Sequence, residues 1–432
     1  MKTSKMFKNL QNKKLKGGAL YYAIFVMLVL GMLSILLLYY FELTFREDTL
    51  FYKDAELNDQ LSSTITKISC YPEILPESGH IEMDVFGDGE ALIQVSTSRW
   101  GLLRKVIATA RWKHLIKSKV VLMAEVEESR PALWMPDRNR YVSLVGKSQI
   151  IGDVYMSELG LRRANIEGRY FEGSELHEGK MHISEKQMPQ IKDEVFNWVQ
   201  GYMAGDIRET DSIVDFQTIH GDRLVKQSYA SNTLVLQSSK YLSLEQGAFH
   251  DNILILSSDT IEVWPSVELN DVVLIANVIV FKKGFEGRLQ AFAKQSLIVE
   301  DNCKFLYPSY IGAISVSPDV EVTIGDSFQF NGGLVCFSNH AEEGKTILSV
   351  VKTDQIIGKV YTNGDLKISG KITGSLYCNR FVYQTQRAFY ENFMMDLMID
   401  EHLLPKEYAS FCVGQELYKL RMVRKCQQYQ PE

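Results

Sequence analysis

None of the short motifs that carry common enzyme chemistry occurs in this 432-residue sequence. The six cysteines (Cys70, Cys303, Cys336, Cys378, Cys412, Cys426) contain no CxxC pair, which argues against a zinc site. They read as small buried hydrophobes, with one or two disulfides open if the domain is extracytoplasmic. The eight histidines show no HExxH or HxH spacing, and His177 and His182, five apart, point opposite ways on a strand. There is no GxSxG and no Walker-type loop. The "GDG" at 87–89 precedes no helix start, so it reads as a hairpin turn rather than a phosphate loop. No Arg-rich strip with interleaved aromatics appears outside the N-terminus, and the net charge is only −6, which excludes nucleic acid as a partner. The sequence therefore predicts no catalytic residue, no metal and no cofactor.

Charge is missing in one place above all. Gly17 to Phe41 is a run of 25 residues with none. At about 1.5 Å per residue in a helix, it exceeds the roughly 30 Å hydrocarbon core of a bilayer. It is too long for a secretory signal peptide and lacks a small-x-small cleavage site. Residues 1–16 hold six lysines and no acid, whereas the charges that follow the run, Glu42, Arg46, Glu47 and Asp48, are net acidic. That asymmetry puts the N-terminus in the cytoplasm and the bulk of the chain outside it. Proline is absent before Pro72, and Gly31 is the only glycine between 19 and 69. Leu50, Leu57, Leu61, Ile65 and Ile68 recur at helical intervals, so one continuous helix is predicted from 18 to 69.

Beyond the helix, residues 81–126 read as antiparallel strands. From Tyr141 the pattern changes to Ile-x-Gly-x-aliphatic or Ile-x-Gly-x-Tyr. It occurs at Ile150-Gly152-Val154 and Ile166-Gly168-Tyr170. It returns at Ile356-Gly358-Val360, Ile368-Gly370-Ile372 and Ile372-Gly374-Leu376. Apolar residues two apart share one strand face, and glycine between them permits tight corners. Segments starting at Leu234, Ile253, Val272 and Leu289 repeat a strand, a second strand and a polar turn at spacings of 19, 19 and 17. Short strands with corners at a near-constant period predict a parallel β-solenoid, with Ile150, Val154, Ile166, Ile356, Val360, Ile368, Ile372 and Leu376 in its core. A β-sandwich would explain the alternation but not the period.

Met188, Ile191, Val195, Trp198, Val199 and Tyr202 mark an amphipathic helix that packs on its own domain. "FYENFMMDLMIDEHLLPKEYASF" reads as a helical stretch closed before Pro405, followed by a basic extended tail, together capping the solenoid. Asp251, Asp259, Asp271 and Asp301 fall mostly in turns, beside Asn252, Asn270 and Asn302. Local backbone bonding explains them better than a polysaccharide-cleaving cluster.

The expected fold is therefore mainly β. A basic leader (1–17) precedes a transmembrane helix and stalk (18–69), then an antiparallel β region (70–140). A first solenoid part (141–185), a helical insertion (186–216), the main solenoid (217–384) and a C-terminal cap and tail (385–432) follow.

The basic leader ending in Gly17-Gly18, with the apolar helix after it, resembles type IV prepilins and type II secretion pseudopilins over residues 13–69. The resemblance implies leader cleavage after Gly17 or Gly18. It departs from the pattern at the fifth position after the cut, where most such proteins carry Glu and this one has Tyr22 or Ala23; tip-type minor pseudopilins also lack it. The glycine beat over 350–380 is similar to bactofilins, polymer-forming solenoids. Together these resemblances imply a non-enzymatic, inner-membrane-anchored periplasmic assembly protein. Its partners would be the membrane and other pilin-like subunits, or further copies of itself through the helix and the solenoid ends. The alternatives are a polymer-forming envelope scaffold and a polysaccharide-active β-helix enzyme.

Overall fold

The computed structural model describes residues 18–76, 78–87, 92–219, 224–414 and 418–429. Helix α1 (Gly18–Cys70) is unbroken over 53 residues, about 80 Å at the helical rise. It ends at Cys70, two residues before Pro72, which opens a single 3-10 turn. Four strands follow: β1 (Gly79–Met83), β2 (Ile93–Trp100), β3 (Leu103–Trp112) and β4 (Leu115–Glu127). Each pairs antiparallel with the next, and the C-terminal strand Tyr418–Tyr429 adds antiparallel to β4. The β1–β2 hairpin is as the sequence predicts, although part of its GDG connection lies outside the described residues.

This sheet is buried on both faces, which explains the nearly unbroken apolar run in β4. Val121 and Met123 face α1, while Val120, Leu122 and Ala124 between them face the solenoid.

The solenoid has about 11 turns. Its registers reproduce the sequence spacing: Leu234 pairs parallel with Ile253, Leu254 with Val273, and Val272 with Leu289. Coils then lengthen, so Leu334 lies beside Val360, 26 residues on. Inward side chains such as Leu236, Ile255, Leu274, Ala291, Ile311, Leu334 and Val360 form the long central core. One outer face is apolar as well. Val235, Leu254, Val273, Phe292, Val335, Tyr361 and Tyr377 project from it and pack under the antiparallel sheet and helix α2 (Asp193–Ala204). Helix α2 buries Val195, Trp198, Val199 and Tyr202 there, on its own domain as expected.

The glycine beat marks corners. Gly358 and Gly374 have φ of 124° and 139°. A Cβ on Gly358 would lie 2.0 Å from the Gly332 carbonyl oxygen in the coil beside it, and one on Gly374 2.0 Å from that of Gly358. Only a residue without a side chain lets these coils stack so closely.

Three expectations are corrected. The stretch 389–404 is not a helical cap. It forms short strands Phe389–Glu391, Phe393–Met395 and Leu397–Asp400, separated by Asn392 and Asp396 with φ of 58° and 48°. Asn and Asp tolerate the left-handed region better than other side chains, so they turn corners here rather than continue a helix. The strands build a full coil: Leu397 pairs with Gly370 on one side, and Ile399 with Ile150 on the other. Consequently residues 149–183 stack after the 370–400 coils, not before residue 217. The tail does not cap the solenoid either; it completes the antiparallel sheet.

Two polar clusters fasten the sheet to the solenoid. In the first, buried Arg99 and Arg104 of β2 and β3 reach Glu194 of α2 at 2.6 and 3.4 Å. Lys192 lies 2.8 Å from buried Glu125 of β4, which also accepts the Cys412 backbone N–H at 2.9 Å. Buried Glu127 pairs with Lys359 of the solenoid, itself 3% exposed. In the second, Asp271 pairs with Arg288 at 2.8 Å and with Arg424 of the C-terminal strand. Arg424 also meets Asp251 at 3.3 Å. Burial pushes the Asp271 carboxyl up to about 7, with Arg424 opposing and Asp251 adding to the rise.

Candidate assembly surface

Helix α1 has two halves with opposite surroundings. Between Leu20 and Phe41 its large apolar side chains are all exposed, Tyr21 at 77%. This half is long and apolar enough to cross a membrane. An unpartnered apolar stretch of this size is costly in water and requires lipid, other helices or both around it.

The second half is built into the body. Leu57, Leu61, Ile65 and Ile68, spaced by four, four and three, are 0–6% exposed. They rest on Ile93, Val95, Val106, Ala108, Ala110, Val121 and Met123 of the sheet. The alanines on β3 admit the helix closely. Lys117 of β4 pairs with Asp54 at 2.5 Å, and the Lys119 ammonium donates to the Ser62 hydroxyl at 3.1 Å. Of the stripe expected from sequence, Leu50 alone stays exposed, at 47%, short of the sheet. A single rigid rod thus leads from the exposed apolar segment directly into the folded head.

Of the two glycines at the expected leader junction, Gly17 lies outside the described residues and Gly18 is the first residue of α1. Ile150, Val154, Ile356, Val360, Ile368, Ile372 and Leu376 line the central core, all 0–8% exposed. Ile166 is buried elsewhere, in a small cluster with Val145 and Met395. Its glycine belongs to a two-residue hairpin: Ile166 pairs antiparallel with Arg169, and Glu167 and Gly168 carry positive φ. There the Ile-x-Gly-x-Tyr spelling arises from turn chemistry, and Tyr170 is 66% exposed.

Of the turn acids and asparagines, Asn252 and Asp301 serve the backbone, whereas Asp251 and Asp271 pair with Arg424 and Asn270 accepts from Arg288. Asn252, fully buried, donates to the Ser228 and Ser231 carbonyls and accepts from the Thr233 hydroxyl. Asp301 accepts the Asp326 N–H at 2.8 Å. All six cysteines are free thiols, and only Cys70 is exposed. Burial pushes the Cys336 and Cys426 thiols up to about 12, which makes them poor nucleophiles. Among the described residues no three His, Cys, Asp or Glu side chains are grouped to hold a metal ion.

Sequence reasoning missed the buried ionic cluster around Glu125 and Glu194. Its members come from β2, β3, β4, α2 and the solenoid, and nothing local distinguishes Arg99 or Lys359 from surface cations.

No family model and no curated protein matches the chain. Among solved structures, a competence-associated pilin, ComZ from Thermus thermophilus, aligns over 82% of this chain and 87% of its own at 9% identity. The TM-score is 0.21, too low to mark a shared fold.

Proposed function

We propose that this chain is a non-enzymatic, membrane-anchored assembly protein: a minor pseudopilin-like component of a type IV filament or type II secretion machine. Its head would lie in the periplasm and its leader in the cytoplasm. One observation carries this reading. The apolar segment and the stripe that holds the head are the same unbroken helix, so packing of like helices in the membrane would fix the position of each head. A plain signal anchor needs no such rigid continuity. Six lysines before Gly17, against Arg46 as the first cation after Phe41, support this orientation.

Two measurements on cells test it. A reporter enzyme active only in the cytoplasm, fused at the C-terminus, should be silent; full activity refutes the orientation. Intact mass of the protein purified from its host should show loss of the residues up to Gly17 or Gly18. Retention of Met1 refutes leader processing and leaves a signal anchor.

A second reading, an envelope scaffold that polymerises through solenoid ends, has its own support. Val214, Phe216 and Val225 in the first coil, and Phe171 and Leu176 near the other end, are only partly buried against the central core. Filaments grown by purified protein at raised concentration, without other subunits, would favour it.

A further inference from the structure

A groove away from α1 lies where residues 135–142 pass over the coils formed by 149–157 and 376–392. It is an open groove of about 560 Å³, within the range of small-ligand sites. Met135, Pro136, Val142 and Met156 give it some apolar lining. Its walls are mainly cationic: Arg138, Arg140, Lys186 and Arg380 against Asp137 and Glu391.

The cations differ in how well they are neutralised. Glu391 bridges two of them, meeting Arg140 at 2.7 Å and Arg380 at 3.0 Å, and Asp365 also holds Arg380 at 2.7 Å. Those contacts fix the guanidinium groups in place. Lys186 has no ion-pair partner among the described residues. Arg138 has only Glu342, which is 82% exposed, and such a pair is worth little in water. Two carboxamides add hydrogen-bonding capacity. The side-chain oxygens of Asn379 and Asn392 are buried in the groove wall with no partner among the described residues. Leaving such atoms unpaired is costly, and a ligand hydroxyl would relieve it.

We propose that this groove binds an acidic saccharide, a sugar chain bearing carboxylates. The apolar lining suits the C–H faces of a pyranose ring. The carboxamides suit its hydroxyls, and Lys186 and Arg138 suit its carboxylate. No aromatic ring lines the groove, so it offers nothing for nucleobases to stack on. An acidic peptide would satisfy the cations but would bring no ring hydroxyls to the carboxamides. This proposal is independent of the assembly reading and survives its failure.

The test is calorimetric titration of the full chain in detergent with trigalacturonic acid. Parallel titrations use a neutral trisaccharide, triglutamate and inorganic phosphate. Saturable binding of the uronate alone is expected. The double variant Lys186→Ala/Arg138→Ala alters two exposed side chains and should leave the fold intact. It should weaken binding by about tenfold or more, through loss of charge-assisted hydrogen bonds. Lys406→Ala, outside the groove, should leave affinity unchanged. No uronate binding overturns the proposal. So does equal binding of phosphate, triglutamate or the neutral sugar, or an equal effect of Lys406→Ala.

Discussion

Removing the side chain of Leu61 should loosen the junction between the rod and the head. Leu61 is 1% exposed and sits mid-stripe between Leu57 and Ile65, against the sheet. Leu61→Ala deletes buried methyl groups and leaves a void that the close-packed interface fills only in part. Such changes cost about 2–5 kcal/mol. That is a sizeable part of the 5–15 kcal/mol typical of a folded domain. Phe51, on the same helix, is 72% exposed. Phe51→Ala loses little burial and replaces an aromatic residue with a better helix former, so it should stay within about 0.5 kcal/mol of wild type. The assay is hydrogen exchange along α1 in detergent, with the urea midpoint of the head measured alongside. Leu61→Ala should speed exchange between 57 and 68 and lower the midpoint, while Phe51→Ala should do neither. If the two variants behave alike, the lower half of α1 is not packed on the sheet, and the rigid-rod argument falls.

Two further predictions concern the solenoid and its junction with the sheet. Ile372 is fully buried in register with Ile399, so Ile372→Asp would bury an unpaired carboxylate at a cost of several kcal/mol; Lys371→Asp next to it should cost under about 1 kcal/mol. Equal urea midpoints would refute the inward orientation of the glycine-flanked isoleucines. Asp271 titrates at about 7 when folded against an ordinary 3.8, so its protonation stabilises the fold fully below about pH 4 and that contribution is lost as pH rises to about 7. Asp271→Asn should therefore flatten the fall in urea midpoint between about pH 5 and 7.5; an unchanged slope would show that Arg288 and Arg424 keep the carboxylate charged throughout.

Legibility of the fold followed the range of the interactions. Helix α1 could be read because proline and charge are absent over a long local stretch. The coil registers at 234–289 could be read because neighbouring coils are also neighbours in sequence. The placement of 149–183 beyond the 370–400 coils could not, since Ile150 meets Ile399 across some 250 residues with no repeat to signal it. The 389–404 stretch misled because Met394, Leu397 and Met398 also fall at helical intervals. The decisive residues were Asn392 and Asp396, whose corner conformation depends on the coils on either side. The groove could not be read for a similar reason: Arg138, Lys186 and Asn379 come together only once the coil of 149–157 has stacked beyond that of 376–392.

The central claim is that the exposed half of α1 packs against like helices in the membrane. Disulfide cross-linking in native membranes tests it most directly. Cys70, the exposed native thiol, is first replaced by serine, and single cysteines are then placed in turn from Leu28 to Leu38. Cross-linked species that peak every three to four positions, as one helix face meets a neighbour, are predicted. Uniformly monomeric protein at every position, in membranes where the head is folded, would contradict the account.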